Sequence, residues 1–165
     1  INISQVQVAK SEVILDLVDE IEKAGLSTDA VNIELTESVL LENNINTQHF
    51  LKELKRMKIN LALDDFGTGY SNFHYLSELN PEIIKIDRTF TANAVADEKE
   101  YYLLKQFCEM IHRLGLKICI EGVENEEEWT RIKRLKPEYG QGFYWGKPCE
   151  YVAFVRQFVD KAQKK

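Results

Sequence analysis

Asn60-Leu61-Ala62-Leu63-Asp64-Asp65-Phe66-Gly67-Thr68-Gly69-Tyr70-Ser71 decides how this chain is read. Leu61-Ala62-Leu63 near its start is a short apolar run, the mark of a buried strand over 60–63. Two aspartates stand at the carboxyl end of that strand, and a Gly-x-Gly follows. No Gly-Lys-Ser/Thr comes after it, and the second glycine is not followed by x-x-Gly, so neither the P-loop nor the dinucleotide fingerprint fits. The two glycines read instead as a mobile loop whose backbone comes close to a ligand.

The same grammar recurs on both sides of this stretch. Strand-like runs lie at residues 1–3, 31–35, 60–63, 83–86, 117–120 and 140–143. Helical patterns separate them. Val13, Ile14, Leu17, Val18 and Ile21 share one face, as do Phe50, Leu54 and Met57, and then Leu103, Leu104, Phe107, Ile111 and Leu114. Shorter helices are expected over 127–135 and 151–159, with the tail at 161–165 a frayed, solvated end. Gly25 and Gly115 stand where helices should stop, and Pro81, Pro137 and Pro148 fall in connections. Strand and helix in alternation mean parallel strands with crossover helices. The pattern predicts an α/β fold of about six strand–helix units, either a doubly wound sheet or part of a barrel.

Each unit ends its strand on a polar group. Asn2, Glu34, Asp64 with Asp65, Lys85 with Asp87, Glu121 and Gln141 follow one another at βα-unit intervals. In α/β proteins the carboxyl ends of parallel strands line the ligand site. Any one such residue could simply start a turn or cap a helix; six consecutive units doing so point to a site. Glu34, Asp64, Asp65 and Glu121 would repel one another there unless a cation joined them. Their donors, with an amide carbonyl, are all oxygen, which suits Mg²⁺ or Mn²⁺, less often Ca²⁺, over zinc or copper. Lys85 is the lone cation among the strand-end groups, read as an electrostatic catalytic group because acids surround it. His49, His74 and His112 fall in predicted helices and are read as helix surface.

Composition narrows the class. The chain has 165 residues, is 44% hydrophobic and 29% charged, and carries a net charge of −6. That is ordinary globular usage, and an acidic surface repels duplex nucleic acid. No apolar run approaches the roughly 18 residues of a membrane span. Cys108, Cys119 and Cys149 form no metal-ligand spacing and read as reduced thiols, which together with the lack of an apolar leader gives a cytoplasmic expectation.

Glu34-Leu-Thr-Glu-Ser, Asp64-Asp-Phe-Gly-Thr-Gly-Tyr-Ser, Lys85-Ile-Asp, Glu121-Gly-Val-Glu and Gln141-Gly-Phe-x-x-Gly-x-Pro, in this order and spacing, resemble the EAL domain family. Asn2-Ile-Ser resembles that family's Asn-x-Ser strand end. The resemblance implies a modified TIM-like (β/α) barrel that hydrolyses cyclic di-GMP to linear pGpG with two Mg²⁺ or Mn²⁺ ions. It implies metal ligands at Asn2, Glu34, Asp64, Asp65 and Glu121. Lys85 is implied to orient or stabilise the attacking water, and Gln141 to complete the site. Glu37 resembles the glutamate that holds the Gly-Thr-Gly loop, a loop that contributes to a homodimer interface. Asp87 and Glu124 resemble carboxylates behind the ligands or beside the substrate. For Asp64 and Asp65 both to face metal the strand must bend into loop, and the glycines are expected to supply that bend.

Three small departures, Ile120, Asn125 and Asn72, remove no ligand. The larger one is that Glu-Ala-Leu, which names the family and supplies a further metal ligand, is absent from all 165 residues. A TIM barrel takes about 250 residues. Residues 1–165 are therefore read as the C-terminal part of a single EAL domain, an incomplete barrel cut inside its fold at Ile1, with upstream sensory or cyclase domains possible partners. Hydrolysis by the isolated piece is expected to be impaired. The alternatives are a non-catalytic module binding cyclic di-GMP or a protein, and another metal-dependent TIM-barrel enzyme.

Overall fold

The computed structural model describes residues 1–159 except 11, 42–43, 68–75 and 77–78. The expectations for Thr68, Gly69, Tyr70, Ser71 and Asn72, for His74, and for the tail at 161–165 lie outside the described residues. Chain order runs through α1 (Gln5–Val8), α2 (Val13–Lys23), a 3-10 turn (Thr28–Ala30), β1 (Asn32–Thr36), α3 (Glu37–Leu41), α4 (Ile45–Arg56) and β2 (Asn60–Phe66). It continues through β3 (Ile83–Ile86), α5 (Arg88–Ala96), α6 (Glu98–Arg113), β4 (Lys117–Ile120), α7 (Glu126–Ile132), β5 (Tyr139–Gly140) and α8 (Tyr151–Phe154).

The five strands pair in parallel in the order β1-β2-β3-β4-β5. A doubly wound sheet reverses its strand order at a switch point, whereas a barrel adds each strand beside the last. The unbroken order is that of a TIM-like barrel, and it settles the choice the sequence left open. Asn2 makes an isolated parallel bridge to Glu34 and lies outside β1, so the strand expected at residues 1–3 is one bridge wide.

Alternation gives the sheet two unlike faces. Ile33, Leu35, Leu61, Leu63, Ile84, Ile86, Ile118 and Ile120 are buried in one core with Ile14, Leu54, Leu104, Ile111 and Ile132 of the helices. Fully burying each such side chain contributes roughly 1.5–3 kcal/mol. The residues between them, Glu34, Asp64, Lys85 and Cys119, point to the opposite face by the period of two. The helices stop as the glycines predict: Gly25 and Gly115 are left-handed (φ +69° and +77°), so the Leu26 N–H reaches Ile21 O and the Leu116 N–H reaches Ile111 O. Among the described residues no helix is long and apolar enough to cross a membrane.

Several boundaries differ from the sequence expectation. β5 covers only 139–140, not 140–143, because the chain beyond bonds to the turn after β4: Tyr144 N–H donates to Val123 O and Val123 N–H to Gln141 O. The helix expected over 127–135 is α7 followed by a 3-10 turn (Lys133–Leu135), and α8 continues as a π-helical turn (Val155–Val159). The pattern gave no sign of α5, which buries only Thr91 and Ala94 and so shows no apolar stripe. On α6, Leu104, Cys108 and Ile111 face the core, while Leu103 lies off that stripe and is 62% exposed against 3% for Leu104. His49 is exposed on α4; His112 is half-buried on α6, 3.4 Å from Glu138.

Leu104→Ala is expected to cost about 2–5 kcal/mol and Leu103→Ala about 0.5 kcal/mol or less, read from urea unfolding midpoints. The cysteines offer a second check. Burial pushes the Cys108 and Cys119 thiols up to about 12, the Glu138 and Glu121 carboxylates respectively adding to it, whereas Cys149 is exposed. A thiolate-selective reagent at pH 8 is expected to label one thiol per native chain, and all three after denaturation.

Candidate metal centre

Register explains why the charged groups meet. Thr36 pairs with Asp64, Leu63 with Ile84 and Lys85 with Cys119, so Asp64 and Lys85 are neighbours across β2 and β3. Glu34 lies one step down on β1, and Glu121 one step past the end of β4. The Lys85 ammonium, on a residue only 6% exposed, reaches all three: 2.7 Å to Glu34 Oε2, 2.9 Å to Asp64 Oδ1 and 2.8 Å to Glu121 Oε1. Burial alone would lower the Lys85 pKa, but hydrogen bonds to Glu121, Glu34 and Asp64 outweigh it and hold it above the usual lysine range.

One ammonium does not balance the cluster. Oxygens of Asp64, Asp65 and Glu121 all lie within 4.8 Å of one another. Two like charges about 4 Å apart repel by roughly 4 kcal/mol at an effective dielectric near 20. Burial pushes the Asp65 carboxyl up and the Asp64 and Asp87 charges push it further, with Lys85 pulling the other way. Glu121 is likewise raised by burial, then pulled down by Lys85 and up by Asp64 and Asp65, with a net rise. Three carboxylates facing one another, two with protons held more tightly than usual, fit a divalent cation bound through oxygen.

The bend that lets Asp64 and Asp65 share this site is made differently from the sequence expectation. Asp65 itself takes the left-handed conformation (φ +54°), within a bulge between Leu63 and Phe66, and β2 resumes pairing at Phe66 with Ile86. Gly67, with φ +94°, comes after the bend. An aspartate is among the few non-glycine residues that take this conformation readily. Glu37 Oε2 accepts from the Gly67 N–H at 3.3 Å.

The remaining expected residues are spread along the rim. Asn2 and Gln141 are exposed there, anchored by backbone bonds beside Glu34 and Ile120. Asp87 spends its carboxylate as the N-cap of α5, accepting from the Thr89 N–H at 2.8 Å and from the Thr89 hydroxyl, bonds that outweigh burial and lower its pKa. Glu124 pairs with Arg88 at 2.5 Å. Thr91, 1% exposed, donates its hydroxyl to the Glu121 carbonyl at 2.8 Å. Arg88, Phe90 and Thr91 carry no charge pattern or apolar period, and only their place directly after Lys85-Ile-Asp could have marked them.

Lys85→Met is expected to lower stability at pH 7–8 by about 3 kcal/mol, since it strands three half-buried carboxylates. The sign with pH follows from the acids. Asp65 and Glu121 carry raised folded pKa values, so folding takes up protons as the pH falls through them and the deficit narrows towards pH 4. Urea midpoints at pH 4, 6 and 8 check this; a deficit that widens on acidification contradicts it.

Comparison with known proteins places the chain in a family. A family model described as EAL domain matches residues 1–148. Cyclic di-GMP phosphodiesterase PdeA of Borreliella burgdorferi is 34% identical over 148 residues, covering 90% of this chain and 22% of the relative. The structure of EAL enzyme Bd1971 in its cAMP- and cyclic-di-GMP-bound form superposes with a TM-score of 0.88 at 28% identity, covering 94% of this chain and 41% of that one. The manganese and cyclic di-GMP complex of Klebsiella pneumoniae BlrP1 does so with a TM-score of 0.83 at 29% identity, covering 90% of this chain and 38% of that one. The chain spans about a fifth of the length of the curated relatives it matches. With parallel strands in barrel order and acids gathered at their carboxyl ends, this chain belongs to the EAL domain family.

Proposed function

We propose that this chain supplies most of the metal and water-handling side of a cyclic di-GMP phosphodiesterase site, yielding linear pGpG. One observation carries the reading: Lys85, buried among Glu34, Asp64 and Glu121, with Asp65 beside them, at the carboxyl ends of consecutive strands. Similarity to PdeA and to the cyclic di-GMP complexes of EAL enzymes supports the substrate. Residues 1–165 would form part of one EAL domain.

Glu34, Asp64, Asp65 and Glu121 would hold Mg²⁺ or Mn²⁺, with Asn2 and Gln141 adding amide oxygens from the rim. Bound there, two such ions would lower the pKa of water and neutralise the phosphodiester. The protein's own groups do the rest. Lys85 engages one oxygen of each of three carboxylates, Glu34, Asp64 and Glu121, and so holds the three together. Its raised pKa keeps it an ammonium; with its three N–H groups given to Glu34, Asp64 and Glu121 it steadies negative charge on the phosphoryl oxygens through its field, and a carboxylate that turned to a metal ion would release one N–H to orient a water. Glu37 fixes the Gly67 amide behind Asp65.

A second reading is a module that binds cyclic di-GMP without cleaving it. Incubation with cyclic di-GMP and Mn²⁺, followed by chromatography of the nucleotides, separates the two. The expected outcome is slow, chelator-sensitive formation of pGpG, below that of a relative carrying Glu-Ala-Leu, and lost by at least about 100-fold in Glu121→Gln, on the scale of removing a group that stabilises the transition state. Calorimetric binding with no pGpG from the wild type selects the second reading; neither binding nor turnover rejects both.

A further inference from the structure

β3 lies between β2 and β4, and the helix that follows it touches the carboxylate-bearing turns of both neighbours. The Asp87 cap fixes the first turn of α5. From that turn Phe90 lays its ring on Gly67: a Cβ built on Gly67 would stand 2.9 Å from Phe90 Cζ. The Gly67 amide is held from another side by Glu37. The 64–67 turn, left-handed at Asp65, is therefore clamped between a carboxylate and an aromatic ring. On the β4 side the Arg88 stem lies against Gly122, where any Cβ would overlap it, and the Thr91 hydroxyl holds the Glu121 carbonyl.

We infer that the first turn of α5 is a positioning device for the acidic group, and that Phe90 is the positioning residue for Asp64 and Asp65. This rests on the metal-site reading above. Two like-charged carboxylates on consecutive residues favour a backbone that moves them apart. A bulged strand end has the freedom to do that unless something fills the space behind it. The Phe90 ring fills it, and its contact requires that residue 67 have no side chain. A leucine at position 90 keeps apolar character but leaves a gap over Gly67, so the turn gains room to relax and the oxygens lose their common focus. Phe90 touches no substrate in this account; it acts through the geometry of the turn.

Mn²⁺ binding to the full 165-residue chain, read by electron paramagnetic resonance of the free ion, tests this without reliance on turnover. Phe90→Leu is expected to raise the Mn²⁺ Kd about tenfold. Phe50→Leu, a matched truncation in the core on α4, is expected to lower thermal stability yet leave the Kd within about twofold. If Phe90→Leu does not fold, Phe90→Met, closer in volume, carries the same comparison. An unchanged Kd in the Phe90 variant, or an equal shift in both variants, overturns the positioning role alone. A wild-type chain that binds no Mn²⁺ overturns the metal-site reading and this inference together.

Discussion

A buried ammonium tied to three carboxylates is the constraint on which the rest of the structure turns. Lys85 has nowhere to go but inward, because its neighbours on β3, Ile84 and Ile86, fill the core on the other face. Leaving such an ammonium unpaired would cost several kcal/mol. Leaving the acids unpaired would cost as much. Each therefore stabilises the other's burial, and the register of β1, β2, β3 and β4 is fixed by the need to bring them together. A slip of one residue in β3 would put Lys85 among the isoleucines and an isoleucine among the carboxylates.

That constraint also explains the two faces of the sheet. All-parallel sheets are usually buried on both sides and read as continuous apolar runs. Here the large aliphatic residues serve the helix side, while the other side carries Glu34, Asp64 and Lys85 with the small Ala62 and Cys119 between them. The helix side supplies the stability and the opposite side the chemistry. The turns that follow the strands then fix the details: a left-handed Asp65, a Gly67 held by Glu37, and Gly122 against the stem of Arg88.

The sequence made much of this legible, for definable reasons. Strands at 83–86 and 117–120 are fully apolar on one face and closed by charge, so their limits coincide with the structure. The gathering of Glu34, Asp64, Asp65, Lys85 and Glu121 was visible because strand ends in such folds share one rim. Other features had no sequence signal. α5 packs through Thr91 and Ala94, too small and too polar to make a stripe. The bend at Asp65 was assigned to the glycines because glycine is the usual left-handed residue, yet bulge and aspartate supply it first. Asp87 stands just after a strand and just before a helix, and its carboxylate caps that helix.

The same geometry has a consequence for the charge state of the site. Lys85 takes Glu34 Oε2, Asp64 Oδ1 and Glu121 Oε1, and the Asp65 N–H also donates to Asp64 Oδ1. The second oxygens of Glu34, Asp64 and Glu121 are not the ones that Lys85 engages. The lysine thus does the work of a first cation in the folded chain, gathering acids that would otherwise drive the strand ends apart. A divalent ion joining the group would meet acids already gathered and would not have to overcome their mutual repulsion alone. Pre-organisation of this kind lowers the cost of binding. It ties the stability of the sheet and the affinity of the site to one side chain, so a change at Lys85 moves both, whereas a change at the turn of α5 moves the affinity with the sheet left intact.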